Sequence, residues 1–204
     1  MSRILVEAAV ESLSAALAAA EGGAHRIVLC VDLAHGGTTP PVELIRQAGA
    51  ELPIPVFVLV RPRTGDYVYI HVYHQMMMEQ IRQAKDAGAA GIVTGALDRL
   101  DELVAAAKPL PVTFHRAFDV NGDLEEAIRL GFDRVLTSGG AKTAPEGTEQ
   151  IARYVQQARG RITILPGGGI DASNVAKLVR ETGVKEVHFS VKDADKVRAV
   201  LGQL

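Results

Sequence analysis

Four times along the chain a glycine closes a helical-looking segment, and two or three residues later a short β-rich run begins: "EGGAHRIVLC", "DAGAAGIVTG", "LGFDRVLTSG" and "ETGVKEVHFS". Glycine suits the left-handed position just past a helix C-terminus, and so short a connection lays the helix against the strand that follows. A joint repeated in this way calls for alternating helices and parallel strands. Strands are expected at 3–8, 26–31, 55–61, 91–95, 111–116, 134–138, 161–166 and 186–190. Helical period fills the intervals at 10–23, 41–50, 72–88, 97–107, 123–131, 147–160, 172–183 and 193–204.

The strand runs are continuously apolar, as expected where helices cover one face of a parallel sheet and layers of side chains fill the other. Eight strands alternating with eight helices predict an α/β protein, a closed (β/α)8 TIM barrel forming a single domain over residues 1–204. The rival is an open doubly wound sheet. Its glycine-rich first turn is missing, since "VEAAVESL" follows strand one.

A chain of 204 residues with 48% hydrophobic and 23% charged can bury one sizeable core. A formal net charge of −2 gives no field that would gather nucleic acid or an anionic membrane, and no apolar run approaches the ~18 residues of a membrane span. The single cysteine, Cys30, excludes an intrachain disulfide, and "MSRILVEAAV" alternates and carries Glu7 where a leader would be apolar. A cytoplasmic protein is expected. A homo-oligomer is compatible with so compact a barrel.

Active sites of this fold lie at the C-terminal ends of the strands. There the sequence places Glu7, Cys30, Arg61, His115, Arg116, Ser138, His188 and Ser190. In "TFHRAFD", alternation puts Thr113 and His115 on one face and Phe114 and Arg116 on the other, so His115 is assigned to the lumen and Arg116 to the lip or the helix layer, where it can pair with Asp119. The alternative for His115 is a core histidine satisfied by a neighbour. Two glycine turns, Ser138-Gly139-Gly140 after strand six and Gly167-Gly168-Gly169 after strand seven, are candidate anion cradles of backbone N–H groups, or simply tight turns. Arg61 and Arg63 in "RPRTGD" are candidate anion clamps, unless one pairs with Asp66.

"GGAHRIVLC", "GGTTP", "VRPRTGDYVY", "GALD", "TFHRAFD", "RVLTSGG", "ILPGGGI" and "EVHFS", in this order over nearly the whole chain, resemble the CutC family of copper homeostasis proteins. The resemblance implies a (β/α)8 barrel in a cytoplasmic protein tied to copper tolerance, with copper as its ligand. Positions matching the family's polar residues are Glu7, Arg61, Arg63, Asp66, His115, Arg116, Asp119, Ser138 and His188. The family's second strand usually reads R-I-E-L-C; here Val28 replaces the glutamate, which would share the lumen with Cys30, and Asp32 is the one nearby carboxylate able to substitute.

Copper(I) selects soft sulfur ligands and copper(II) imidazole and oxygen. Cys30 is the only thiol and, with His188, forms the candidate metal pair. Met76, Met77 and Met78 fan around a helix, so at least two are expected in the core. His71 and His74 have a metal-clip spacing if helical, but two solvated histidines at a loop-to-helix junction are the expectation. Three readings follow: a copper-handling protein using Cys30; an enzyme of lyase or isomerase type on a small anionic or phosphorylated metabolite, with Glu7 or His115 moving a proton and Arg61 stabilising negative charge; and a binding module without chemistry.

Overall fold

The computed structural model describes residues 3–204. Eight strands form one parallel sheet: β1 (Leu5–Val10), β2 (Arg26–Leu29), β3 (Val56–Val60), β4 (Gly91–Thr94), β5 (Val112–Phe114), β6 (Arg134–Thr137), β7 (Thr163–Pro166) and β8 (Glu186–Ser190). Seven neighbouring pairs are laddered in the order β7-β6-β5-β4-β3-β2-β1-β8, and a parallel bridge between Gly167 and His188 closes the ring. The predicted barrel is therefore present. Its seam lies between β7 and β8.

Around the sheet run α1 (Leu13–Glu21), α2 (Val42–Glu51), α3 (His71–Asp86), α4 (Leu100–Ala107), α5 (Phe118–Asn121), α6 (Leu124–Leu130), α7 (Thr148–Ala158), α8 (Val175–Thr182) and α9 (Ala194–Leu201). Eight correspond to the helical periods of the sequence; α5 is an additional turn directly after β5. All four joint glycines, Gly23, Gly88, Gly131 and Gly183, have φ between +73° and +98°, the left-handed conformation that ends a helix without a Cβ clash. Three helix starts are capped by a short polar side chain: Ser12 accepts from Ala15 N, Asp123 from Glu125 N and Asp193 from Lys196 N.

Alternation along the strands sorts side chains into two cores. Val6, Ala8, Val10, Ile27, Leu29, Val58, Val60, Val135 and Val187 pack outward against the helices. Ala9, Val28, Cys30, Phe57, Leu59 and Val93 pack with one another inside the barrel. The lumen is thus filled by side chains, with a cavity at its C-terminal end.

The lower lumen is ionic. Glu7 pairs with Arg26, Arg26 also with Glu186, and Arg134 Nε lies 3.0 Å from Glu186. Both guanidinium groups stack on Phe57, at 5.0 and 5.5 Å from the ring centroid. Gly91 makes room for that ring: a Cβ there would collide with it.

Candidate active site

A cavity of about 600 Å³ opens at the C-terminal end of the strands. Among the predicted site residues it is lined by Cys30, Arg61, His115, Gly167, Gly168, Gly169 and His188, together with Arg116. The apolar part of its wall includes Ala9, Val28, Leu59, Val93 and Leu136. Of the charged side chains on the wall, Arg61, Arg116 and Lys196 are cationic and Asp119 alone is acidic.

Arg61 follows the last residue of β3 and is 4% exposed. Its Nη1 donates to Gly37 O at 3.1 Å and its Nη2 to Gly65 O at 2.8 Å, so carbonyls of the second and third βα loops fix the guanidinium plane. Among the described residues no carboxylate forms an ion pair with it, and its buried Nε has no partner. His115, also 4% exposed, shares Tyr67 with it: the tyrosine ring lies 4.9 Å from the Arg61 guanidinium carbon and 5.1 Å from the imidazole, tilted by 46°. Ala117 N donates to His115 Nδ1 at 3.1 Å, which puts the ring proton on Nε2. That Nε2 is buried and unpartnered among the described residues. Burial, and then the charge of Arg61, push the imidazole down to about 3, so it is neutral at physiological pH.

Glu7 departs from its predicted place. Its strand begins two residues later than the sequence suggested and runs on to Val10, which puts Glu7 in the middle of β1 and in register with Arg26, below the cavity. It is 1% exposed and bonds His188 Nδ1 through Oε1 at 2.6 Å. Burial raises its pKa, but the hydrogen bond from His188 and the charge of Arg26 overcome this and hold the carboxyl at about 2. His188 occupies the cavity wall in its place, as a carboxylate-anchored imidazole.

The two glycine turns differ. In the first, the donors are taken by the chain itself: Asp119 accepts from Ser138 N at 3.1 Å, from Gly140 N at 3.3 Å and from Thr137 Oγ1, while Gly139 N donates to Thr137 Oγ1 at 2.8 Å. Ser138 and Gly140 thus cradle the chain's own carboxylate, with Gly139 held by Thr137, and Arg116 pairs with it from the other side through Nε at 2.9 Å. In the second turn Gly167, Gly168, Gly169 and Ile170 all line the cavity, and the amides of Gly169 and Ile170 bond no other group among the described residues. Arg63 does not reach the cavity. It pairs with Asp66 at 2.6 Å and lies over Tyr69 and Tyr73.

Sequence reasoning missed Arg26, Arg134 and Glu186, which open β2, β6 and β8 and neutralise one another in the lower lumen. Their signal is a charged residue at the start of an otherwise apolar run. His71 and His74 lie in α3; His71 is exposed as expected, but His74 is buried, 3.8 Å from Glu102. Met77 is buried and Met78 is packed against the core, as the helical fan required.

Cys30 is buried, its Sγ 3.5 Å from Val10 O, and burial followed by the charge of Glu11 pushes the thiol up to about 12. Copper would have to displace that proton. Among the described residues no three His, Cys, Asp or Glu side chains gather as a metal cluster. Val28 faces the lumen beside Cys30, while Asp32 pairs with His35 on the surface and supplies no substitute carboxylate.

The model of the CutC family matches residues 4–193. The chain belongs to the CutC family. A human relative, "Copper homeostasis protein cutC homolog", is 44% identical over 200 residues, 92% of this chain and 73% of its own. A CutC family protein of Xylella fastidiosa is 43% identical over 205 residues, covering 95% of this chain and 77% of that protein. The solved structure of CutC from Streptococcus agalactiae superposes with a TM-score of 0.85 at 33% identity, over 91% of this chain and 98% of that one. This CutC chain has no helix, among the described residues, long and apolar enough to cross a membrane.

Proposed function

We propose that this CutC barrel acts in the cytoplasm in copper homeostasis, the role carried by the names of its relatives, by binding and transforming a small anionic metabolite in the C-terminal cavity. The observation that carries this reading is Arg61, a buried guanidinium on the cavity wall with no carboxylate partner among the described residues. A buried charge without a counter-ion is costly, and a ligand's acidic group supplies the missing partner. His115 adds a neutral Nε2–H donor beside it. His188, with Nδ1 held by Glu7, keeps Nε2 free to take or give a proton, so Glu7 is a positioning residue and His188 the proton carrier. The reaction class that suits one proton carrier and one anion-stabilising pole is proton abstraction next to a carbonyl.

A second reading has copper as cargo. Cys30, His115 and His188 line the same cavity and offer one sulfur and two imidazoles, a donor set with the softness Cu(I) selects. The elevated thiol pKa opposes it. A thermal-shift screen separates the two, because a ligand of the folded state stabilises it by mass action. Stabilisation by anionic metabolites that Arg61→Gln and His115→Ala abolish supports the first reading. Stabilisation by Cu(I) that Cys30→Ser abolishes supports the second, and no stabilisation by either class sinks both.

A further inference from the structure

Anion donors line this cavity at two places on opposite sides of the barrel. Counting along the closed ring, β3 and β7 are four strands apart in either direction, so Arg61 and the Gly167–Ile170 turn face one another across the mouth. With strands ~4.8 Å apart and tilted by ~36°, an eight-stranded barrel is about 15 Å across its backbone, too wide for one acidic group to touch both sides.

The β3 side offers Arg61 Nε, buried and orphaned, with its guanidinium tied to its own side by Gly37 O and Gly65 O; the Tyr67 ring touches both Arg61 and His115, whose orphaned Nε2 joins it from the end of β5. The β7 side offers the amides of Gly169 and Ile170, with φ of +99° at Gly168 and +72° at Gly169 exposing the backbone. Arg116 completes it. Asp119 holds its Nε and Ser138 Oγ its Nη2, which leaves Nη1 free and 3.3 Å from where a Cβ on Gly168 would stand. Lys196, its Nζ 2.8 Å from Ser190 O, adds a further positive charge on the wall.

The floor between the two sides is apolar, formed by Ala9, Val28, Leu59 and Val93, and Val28 stands where a carboxylate would have interrupted it. Three cations less one carboxylate leave the wall with a charge of +2, matching a ligand with two negative charges. We infer that the cavity takes one small molecule with an acidic group at each end and an uncharged middle, a dicarboxylate or a phosphorylated carboxylate, bound by Arg61 and His115 at one end and by Gly169, Ile170 and Arg116 at the other. This rests on the anion-binding reading above and adds the second end. His188, next to Gly167 at the seam, then stands on the β7 side of the ligand.

The test is calorimetric titration of the full chain with acetate, inorganic phosphate, phosphoglycolate and the dicarboxylates from malonate to adipate. At least one two-ended probe is expected to bind 30-fold or more tighter than acetate and phosphate, and the preferred series, dicarboxylate or phosphoglycolate, distinguishes the two chemistries. Arg61→Lys and Lys196→Gln, chosen to keep the fold and checked by melting, are each expected to cut that advantage at least fivefold. If phosphate binds but every two-ended probe binds no tighter, the inference is overturned and the anion site stands. If no anion binds, both fall.

Discussion

His188 donates through Nδ1 to Glu7 Oε1 at 2.6 Å, joining the wall of the cavity to the buried ionic layer beneath it. The carboxylate is held in turn by Arg26, so the imidazole's orientation is fixed from below. At pH 8, nitrogen-15 spectra of the ring are expected to show His188 as the Nδ1–H tautomer, and Glu7→Gln is expected to remove that preference. Finding Nε2 protonated in the wild type would remove His188 from the role of proton carrier.

His115 makes folding sensitive to acid. Its pKa falls from 6.5 in the unfolded chain to about 3 when folded, so between these values the unfolded state binds the extra proton. Stability is complete above pH 6.5 and is lost as pH falls towards 3, with a slope of ~1.4 kcal/mol per pH unit from this one group. Urea unfolding of His115→Gln between pH 4 and 6.5 is expected to show a slope shallower by that amount. Parallel curves for wild type and variant would contradict the assignment.

Cys30 is expected to be slow towards thiol reagents. With its pKa pushed up to about 12, the reactive thiolate is scarce at pH 8, and the side chain is 1% exposed. Ellman's reagent should modify the native protein at least 100-fold more slowly than the urea-unfolded chain. Equal rates would show an accessible, ionisable thiol and would strengthen the copper reading.

Gly91→Ala probes the layer below the site. The new methyl would meet the Phe57 ring, on which Arg26 and Arg134 both stack. Overpacking of this kind costs ~2 kcal/mol, read as a lower urea midpoint. An unchanged midpoint would mean that the aromatic and its two guanidinium groups move freely.

The alternation of helices and strands was open to view because it rests on local chemistry: glycines that end helices and apolar runs that begin soon after. The lumen position of His115 followed from strand alternation alone. Glu7 was misplaced because β1 is shifted by two residues, and an apolar stretch such as "LVEAAV" does not mark its own ends. That Asp119 fills the Ser138–Gly140 turn was hidden in the sequence, where the glycine turns look alike; only the contact across 19 to 21 positions tells them apart. The same holds for Arg26, Glu186 and Arg134, whose mutual neutralisation joins residues up to 160 positions apart.

Whether the charge of Arg61 awaits a ligand's acidic group is tested most directly by following the Arg61 Nε–H and His115 Nε2–H resonances while inorganic phosphate is titrated into the full chain. Both signals are expected to shift together and to saturate with one dissociation constant. Signals that stay in place while phosphate binds elsewhere, or does not bind, would contradict the assignment of Arg61 and His115 to an anion site.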